Sequence, residues 1–250
     1  FNLIFVDSKI IFKMKQTLFG SIIVMSVFMT SCNTSNSGSA SSTTFSDKNP
    51  FAKESTLLYQ APDFSKIKDT DFAPAFDEGM KQHLAEIDKI ANNSEAPTFD
   101  NTLVPLEKAG QLLNRARSVF GFLTGANTND ALQKIDEDYA PKFAKHNDEI
   151  YLNAKLFNRI KTVYDEREKL NLDTESKHLV EYYFQQFQMA GAQLSDIDKD
   201  KLKKLNEEEA GLSTKFSNQL LAATKQGAFV VSDKSLLDGL SDGEIEAAAA

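Results

Sequence analysis

Each of the three histidines in this 250-residue chain is followed three residues later by a glutamate. These pairs are His83 with Glu86, His146 with Glu149, and His178 with Glu181. Side chains three residues apart share one face of a helix, so each pair could supply two ligands to a metal ion. A zinc peptidase instead needs two histidines four residues apart, and the two nearest histidines here are 32 residues apart. We interpret the pairs as coincidences on solvated helix faces.

Other motifs that carry chemistry are scarce. Di-iron bundles use Glu-x-x-His twice, and only Glu175 with His178 has that order. The sequence has neither a Gly-x-Ser-x-Gly elbow nor a glycine-rich phosphate loop. Arg115 and Arg117 could contact an acidic end of a substrate, although a surface role is the simpler interpretation. The sequence therefore predicts no catalytic residue and no metal ligand within the chain itself.

Charge and cysteine content exclude further classes of protein and of metal site. The chain has 28 Lys and Arg residues against 36 Asp and Glu residues, a formal net charge of −8, and it contains no basic block. Nucleic-acid binding needs a basic surface, so we expect no nucleic-acid partner. The single cysteine excludes an internal disulfide framework and a cysteine-rich zinc module.

The residues after Met14 have the layout of a bacterial export signal. Lys15 precedes an apolar run of about a dozen residues, which is too short to cross a bilayer comfortably. The run ends in Met29-Thr30-Ser31-Cys32, which resembles a lipobox, the motif in which the cysteine is lipidated and the chain is cut just before it. We predict lipidation at Cys32. The alternative is an ordinary signal peptide with a stray cysteine.

These features divide the chain into segments. We expect residues 1–13 to be upstream translation, 14–31 a lipoprotein signal peptide, and 32–48 a flexible tether rich in small polar residues. The signal and the lipobox predict an exported protein that is anchored to a membrane by lipid, and the absence of an acidic or lysine cluster after Cys32 favours an anchor that faces the periplasm. The helical region at 49–250 stops within a helix that begins at Ser241, so we expect it to be truncated.

Apolar residues recur at intervals of three and four between Pro50 and Gln226, which predicts an all-α body of six or seven helices. Pro141 should kink or break the third of them. Residues 228–232 could form one short strand. The predicted helices are Asp71–Asn92, Thr102–Leu123, Asp130–Leu152, Lys155–Lys169, Thr174–Ala190 and Asp196–Lys225.

The last and longest of these helices is amphipathic. Its charge runs, at 201–204 and 207–209, are expected on a solvated face. Its apolar residues fall on the other side: Leu202, Leu205, Leu212, Phe216, Leu220 and Ala223.

Several segments, in order, resemble one enzyme family. They are Asn49-Pro50-Phe51, residues 67–80 (IKDTDFAPAFDEGM), 97–102 (PTFDNT), 187–194 (FQMAGAQL), and Leu212-Ser213 with Phe216-Ser217-Asn218. In order and spacing they resemble the N-terminal region of the M3 family of zinc metallopeptidases, above all its bacterial peptidyl-dipeptidase (dipeptidyl carboxypeptidase) branch. The resemblance covers about residues 49–250. Pro105 departs from the family pattern and suggests that the second helix starts near Thr102.

The resemblance implies a large helical enzyme divided by a deep channel. Its Zn²⁺ would be bound by a His-Glu-x-x-His helix beyond Ala250 and by a further glutamate. The substrates would be oligopeptides, cut to release C-terminal dipeptides, and the full-length protein would be a monomer. The chain by itself would bind no zinc, hydrolyse no peptide and expose apolar faces. The alternative is a non-enzymatic helical periplasmic lipoprotein that binds a peptide or protein partner.

Overall fold

A computed structural model describes residues 45–227, 230–231 and 233–249, and it confirms the all-α class within them. The predictions for residues 1–44, including lipidation at Cys32, lie outside this part of the chain. Of the possible strand at 228–232, only Val230 and Val231 are described, and neither lies in a strand. No helix in the described ranges is long and apolar enough to cross a membrane. The helices are α1 (Phe72–Ala91), α2 (Val104–Lys108), α3 (Gln111–Ala126), α4 (Asp130–Tyr151), α5 (Ala154–Glu166), α6 (Thr174–Met189), α7 (Asp196–Gln226) and α8 (Asp242–Ala249).

Side-chain caps fix where four successive helices begin. Asn129 accepts a hydrogen bond from the Leu132 N–H at 2.8 Å, so α4 begins at Asp130. Asn153, Asp173 and Ser195 cap α5, α6 and α7 in the same way. Each cap satisfies a backbone N–H that has no partner within its own helix. These short polar residues explain why the observed starts lie within one residue of those predicted from the sequence.

The first core cluster joins α1, α3 and α4 through aromatic rings. The Phe76 ring meets those of Phe120, Tyr139 and Phe143 edge to face, with centroids 5.0 to 5.2 Å apart. Helices α1 and α3 cross closely at Gly79, where a Cβ would lie 2.9 Å from the Leu113 backbone. The buried members of this cluster are Phe51, Phe72, Ala75, Phe76, Leu112, Leu113, Ala116, Val119, Phe120, Leu132, Tyr139 and Phe143. Phe45 also packs against them, so core packing begins within the segment predicted to be a tether.

A second core cluster lies between the C-terminal half of α1 and helices α2, α4, α5 and α6, and a smaller third cluster adjoins it. Its largest fully buried side chains are Ile87, Leu156, Ile160 and Phe187. The third cluster consists of Leu103, Val163 and Val180. Burial of apolar surface in these clusters is the main force that holds the short helices α2 and α5 in place.

The helix predicted at Thr102–Leu123 is wrong, because three elements occupy this stretch. A single π-helical turn, Phe99–Leu103, leads into α2, and α3 begins only at Gln111. The chain breaks between them because Gly110 has a φ of +74°, a left-handed conformation that glycine adopts without steric cost. Pro105 lies in the first turn of α2, where its missing N–H does no harm.

Pro141 does not break α4, which runs without interruption from Asp130 to Tyr151. Proline removes one hydrogen bond inside the helix. Packing compensates for it, because α4 makes extensive contacts with α7 on one side and contributes buried residues to the first core cluster on another.

Candidate functional site

Two of the three histidines meet in the interior, although they are 63 residues apart in the chain. His83 Nδ1 on α1 lies 3.0 Å from His146 Nε2 on α4. The backbone at Gly110 passes beside them, and a Cβ there would lie 2.8 to 2.9 Å from the His83 ring. The carboxylate of Glu86, one turn beyond His83, accepts the Gly110 N–H at 2.7 Å. We call these four residues the histidine–glycine junction.

The hydrogen bond between the two rings needs one N–H, and the surroundings of His146 decide which ring carries it. His146 Nδ1 is buried and has no hydrogen-bond partner. If His83 were the donor, neutral His146 would carry its own proton on this atom, as a buried N–H without an acceptor. A buried acceptor without a donor is tolerated better than a buried N–H without an acceptor. We therefore assign His146 Nε2–H as the donor and His83 Nδ1 as the acceptor.

The junction favours uncharged imidazoles. Burial, acting in the same direction as the nearby charges of His83 and Arg117, lowers the pKa of His146 from 6.5 to about 4. Burial also lowers the pKa of His83, against the opposing effect of the Glu86 carboxylate. Charge on either ring is therefore unfavourable in the folded chain.

The interpretation of the pairs as solvated is wrong for the histidines of the first two pairs, whereas their glutamates, Glu86 and Glu149, are exposed. His146 is only 3% exposed, and His83 is partly buried. The third pair is exposed, as predicted. Its Glu181 accepts a hydrogen bond from Arg167 at 3.1 Å. Periodicity along one helix could not reveal the contact between His83 and His146, because it depends on how α1 packs against α4.

A polar cavity of about 490 Å³ lies between α3, α4 and α7. Arg117 lies at its edge, with its guanidinium 4.4 Å from the centre of the Phe143 ring. Asp148 Oδ1 accepts from Asn206 at 2.7 Å, while Oδ2 is buried without a partner. Burial raises the pKa of Asp148, and burial together with the charge of Glu137 raises that of Asp136. The cavity is thus lined by side chains of both charges.

The two arginines singled out in the sequence serve different contacts. Arg115 is half-buried and donates to the Phe51 carbonyl at 3.1 Å, which ties the N-terminal segment to α3. Arg117 packs on Phe143 and lines the cavity. They lie two residues apart on one helix and therefore point in different directions, so the structure does not bring them together.

Sequence reasoning missed the most extensively bonded cation of the described ranges. Arg159 on α5 is 6% exposed and donates to the carbonyls of Asn93 and Glu95 at 2.8 and 2.9 Å. Its other terminal nitrogen donates to the side chains of Asn101 and Thr102. The signal that could have indicated its burial is its position in the apolar face of α5, one residue before Ile160. Its role is to hold the segment before α2 against α5.

These arrangements connect helices that are distant in the chain. Among the described residues, no group of three or more His, Cys, Asp or Glu side chains could hold a metal ion. His146 is buried, His83 is partly buried, and the two rings are bonded to each other. What the described part defines is an all-helical unit with buried polar contacts between its helices.

Comparison with known proteins relates this helical unit to peptidases. The chain is 49% identical over 201 residues to the dipeptidyl carboxypeptidase of Escherichia coli (strain K12), covering 80% of this chain and 30% of that protein. Identity to the dipeptidyl carboxypeptidase of Salmonella typhimurium is 48% over 201 residues, with the same shares. The organellar oligopeptidase A of Arabidopsis thaliana is 25% identical over 183 residues, 73% of this chain and 23% of that protein. No family model matches the chain.

The chain spans about 30% of the length of the two dipeptidyl carboxypeptidases. The similarities support the resemblance to M3 peptidases that the sequence motifs indicated, and they relate the chain to peptidases that include both dipeptidyl carboxypeptidases and oligopeptidases A.

Proposed function

We propose that the chain is the N-terminal helical part of a zinc-dependent M3 peptidase that releases dipeptides from the C-terminal end of short oligopeptides. The observation that carries this proposal is the contrast in identity among the relatives. It is 49% and 48% for the dipeptidyl carboxypeptidases but 21 to 25% for the oligopeptidase A relatives. A difference of this size favours the dipeptide-releasing branch.

Zinc would be bound outside this chain. The described residues offer no set of three metal ligands, and His83 and His146 already bond to each other. When bound, zinc would polarise the substrate carbonyl and lower the pKa of the attacking water. The described residues contribute a rigid helical wall to this chemistry, with aromatic cores that hold α1, α3 and α4 in fixed positions.

The reading frame after Ala250 provides the first test. We expect it to continue and to encode His-Glu-x-x-His. A stop codon before that motif would refute the proposal of a peptidase. It would favour the alternative, a non-enzymatic helical lipoprotein that binds a peptide or protein partner.

Product analysis on the full-length protein provides the second test. With an N-terminally blocked octapeptide, we expect dipeptides to be released stepwise from the C-terminal end. An enzyme of the oligopeptidase type would instead cut internally. Replacement of the motif glutamate by glutamine serves as the inactive control. The 250-residue chain by itself should show no stoichiometric zinc by metal analysis and no hydrolysis of the same peptide.

We further propose that Cys32 carries the lipid that anchors an exported, periplasm-facing protein. The tetrapeptide Met29-Thr30-Ser31-Cys32 supports this proposal. In a bacterial host, the Cys32→Ala variant should lose labelling by radioactive palmitate and move from the membrane to the soluble fraction. The matched control, Thr34→Ala, should remain labelled. Equal labelling of the Cys32→Ala variant would refute lipidation at this residue.

A further inference from the structure

Helix α7 is packed through its polar side. Asn206 donates to Asp148 at 2.7 Å, and Asn218 donates to Glu137 at 2.9 Å. Between them, the small residues Ala210 and Thr214 are partly buried towards α4. Lys199 is the one buried residue of α7, and its ammonium donates to the Leu152 carbonyl at 3.0 Å. Polar and small side chains thus make the contact with α4.

The apolar side of the same helix is uncovered in the described part of the chain. Four large side chains, spaced seven, four and four residues apart, form what we call the α7 stripe; each is 56 to 67% exposed. They are Leu205, Leu212, Phe216 and Leu220. At about 1.5 Å per residue the stripe is about 22 Å long, and helical spacing places it roughly opposite Thr214 and Asn218. The apolar side that the sequence predicted therefore exists, but α4 does not cover it.

The borders of the stripe are charged. Glu208 and Glu209 line a shallow surface depression together with Leu205, Leu212 and Phe216. Lys204 and Lys215 line a second depression beside Leu212, together with Glu208. An apolar centre with a polar rim is the usual composition of a protein interface. Exposed apolar side chains in a continuous row mark such interfaces more often than they mark free surface.

The length of the relatives identifies an occupant. This chain covers 30% of each dipeptidyl carboxypeptidase, so about 70% of such a polypeptide lies outside it. We propose that the α7 stripe is the seam along which a helix from the remaining polypeptide packs. This inference rests on the proposed function, because it requires the longer protein. Since Glu209 lies in line with the four apolar residues, the covering helix would present a lysine or arginine opposite it.

Cysteine labelling tests the seam directly. The Phe216→Cys and Lys204→Cys variants are made in both the 250-residue chain and the full-length protein, each with Cys32→Ala so that this thiol does not react. Both positions are exposed here, so neither substitution should disturb folding. We expect a maleimide to label the Phe216→Cys variant at least tenfold more slowly in the full-length protein than in the isolated chain. Lys204→Cys should label at similar rates in both.

Equal labelling rates for Phe216→Cys in the two proteins would overturn the seam. If the Phe216→Cys variant is instead protected already in the isolated chain, and more strongly at higher protein concentration, a second copy of the chain covers the stripe. That result would overturn the proposed seam as well. A reading frame that ends close to Ala250 would leave no occupant and would overturn it too. If the full-length protein protects the Phe216→Cys variant but releases no dipeptides, the proposed function fails and the seam stands.

Discussion

Acid should destabilise the folded chain through His146, because the folded state holds this ring uncharged while the unfolded state does not. The pKa of His146 falls from 6.5 to about 4 on folding. Between these two values the unfolded chain binds more protons than the folded chain, so stability decreases as the pH falls. The effect is absent above pH 7 and complete below pH 4.

The size of the effect follows from the two pKa values. At about 1.4 kcal/mol per pKa unit, full protonation of the unfolded state lowers the stability of the fold by about 3 to 4 kcal/mol. At pH 5 the loss of stability amounts to about 2 kcal/mol, because His146 is then almost fully charged in the unfolded chain but mostly uncharged in the folded chain. Charging His83 also disrupts its contact with His146, because both facing nitrogens would then carry a proton. Charging His146 instead places a second N–H, at Nδ1, in the interior without an acceptor.

Urea unfolding followed by circular dichroism at pH 7 and pH 5 measures this loss. In the His146→Gln variant, an amide N–H takes the place of Nε2–H and does not titrate, so we expect its stability to fall by about 2 kcal/mol less than that of the original chain over this range. The control His178→Gln removes an exposed histidine and should leave the original pH dependence unchanged.

Equal pH dependence for the original chain and the His146→Gln variant would refute this reasoning. NMR titration of the His146 ring gives an independent measurement, and a midpoint above 6 would contradict the burial of an uncharged imidazole.

Three further substitutions test the packing. Gly110→Ala forces a side chain into a left-handed position against the His83 ring, so it should lower the free energy of unfolding by about 1 to 3 kcal/mol, whereas Gly211→Ala, which meets open space within α7, should cost nothing. Arg159→Met removes four hydrogen bonds from a buried cation and should cost about 3 kcal/mol in urea unfolding, against less than about 0.5 kcal/mol for the exposed Lys155→Met. Pro141→Ala restores a hydrogen bond within α4 and should raise the Tm by several degrees; a lower Tm would show that the proline ring contributes essential packing.

The sequence by itself determined the features that depend on neighbouring residues. Apolar spacing of three and four residues identified the helices, and polar caps such as Asn129 and Ser195 placed their starts, because both act within a few residues of the chain. The ordered motifs between residues 49 and 218 can also be read from the sequence alone, and they indicated the resemblance to M3 peptidases. The helix predicted at Thr102–Leu123 failed where a distant contact, from Glu86 to Gly110, decided the backbone conformation.

Only the tertiary structure decided which faces meet. The contact between His83 and His146 joins residues 63 positions apart, and the bonds of Arg159 cross 57 to 66 positions, so no local pattern contains them. Helix α7 shows the same limit, since its periodicity marks the apolar side but not what covers it. A side chain's burial depends on the surface packed against it, and no such surface covers Leu212 or Phe216 among the described residues.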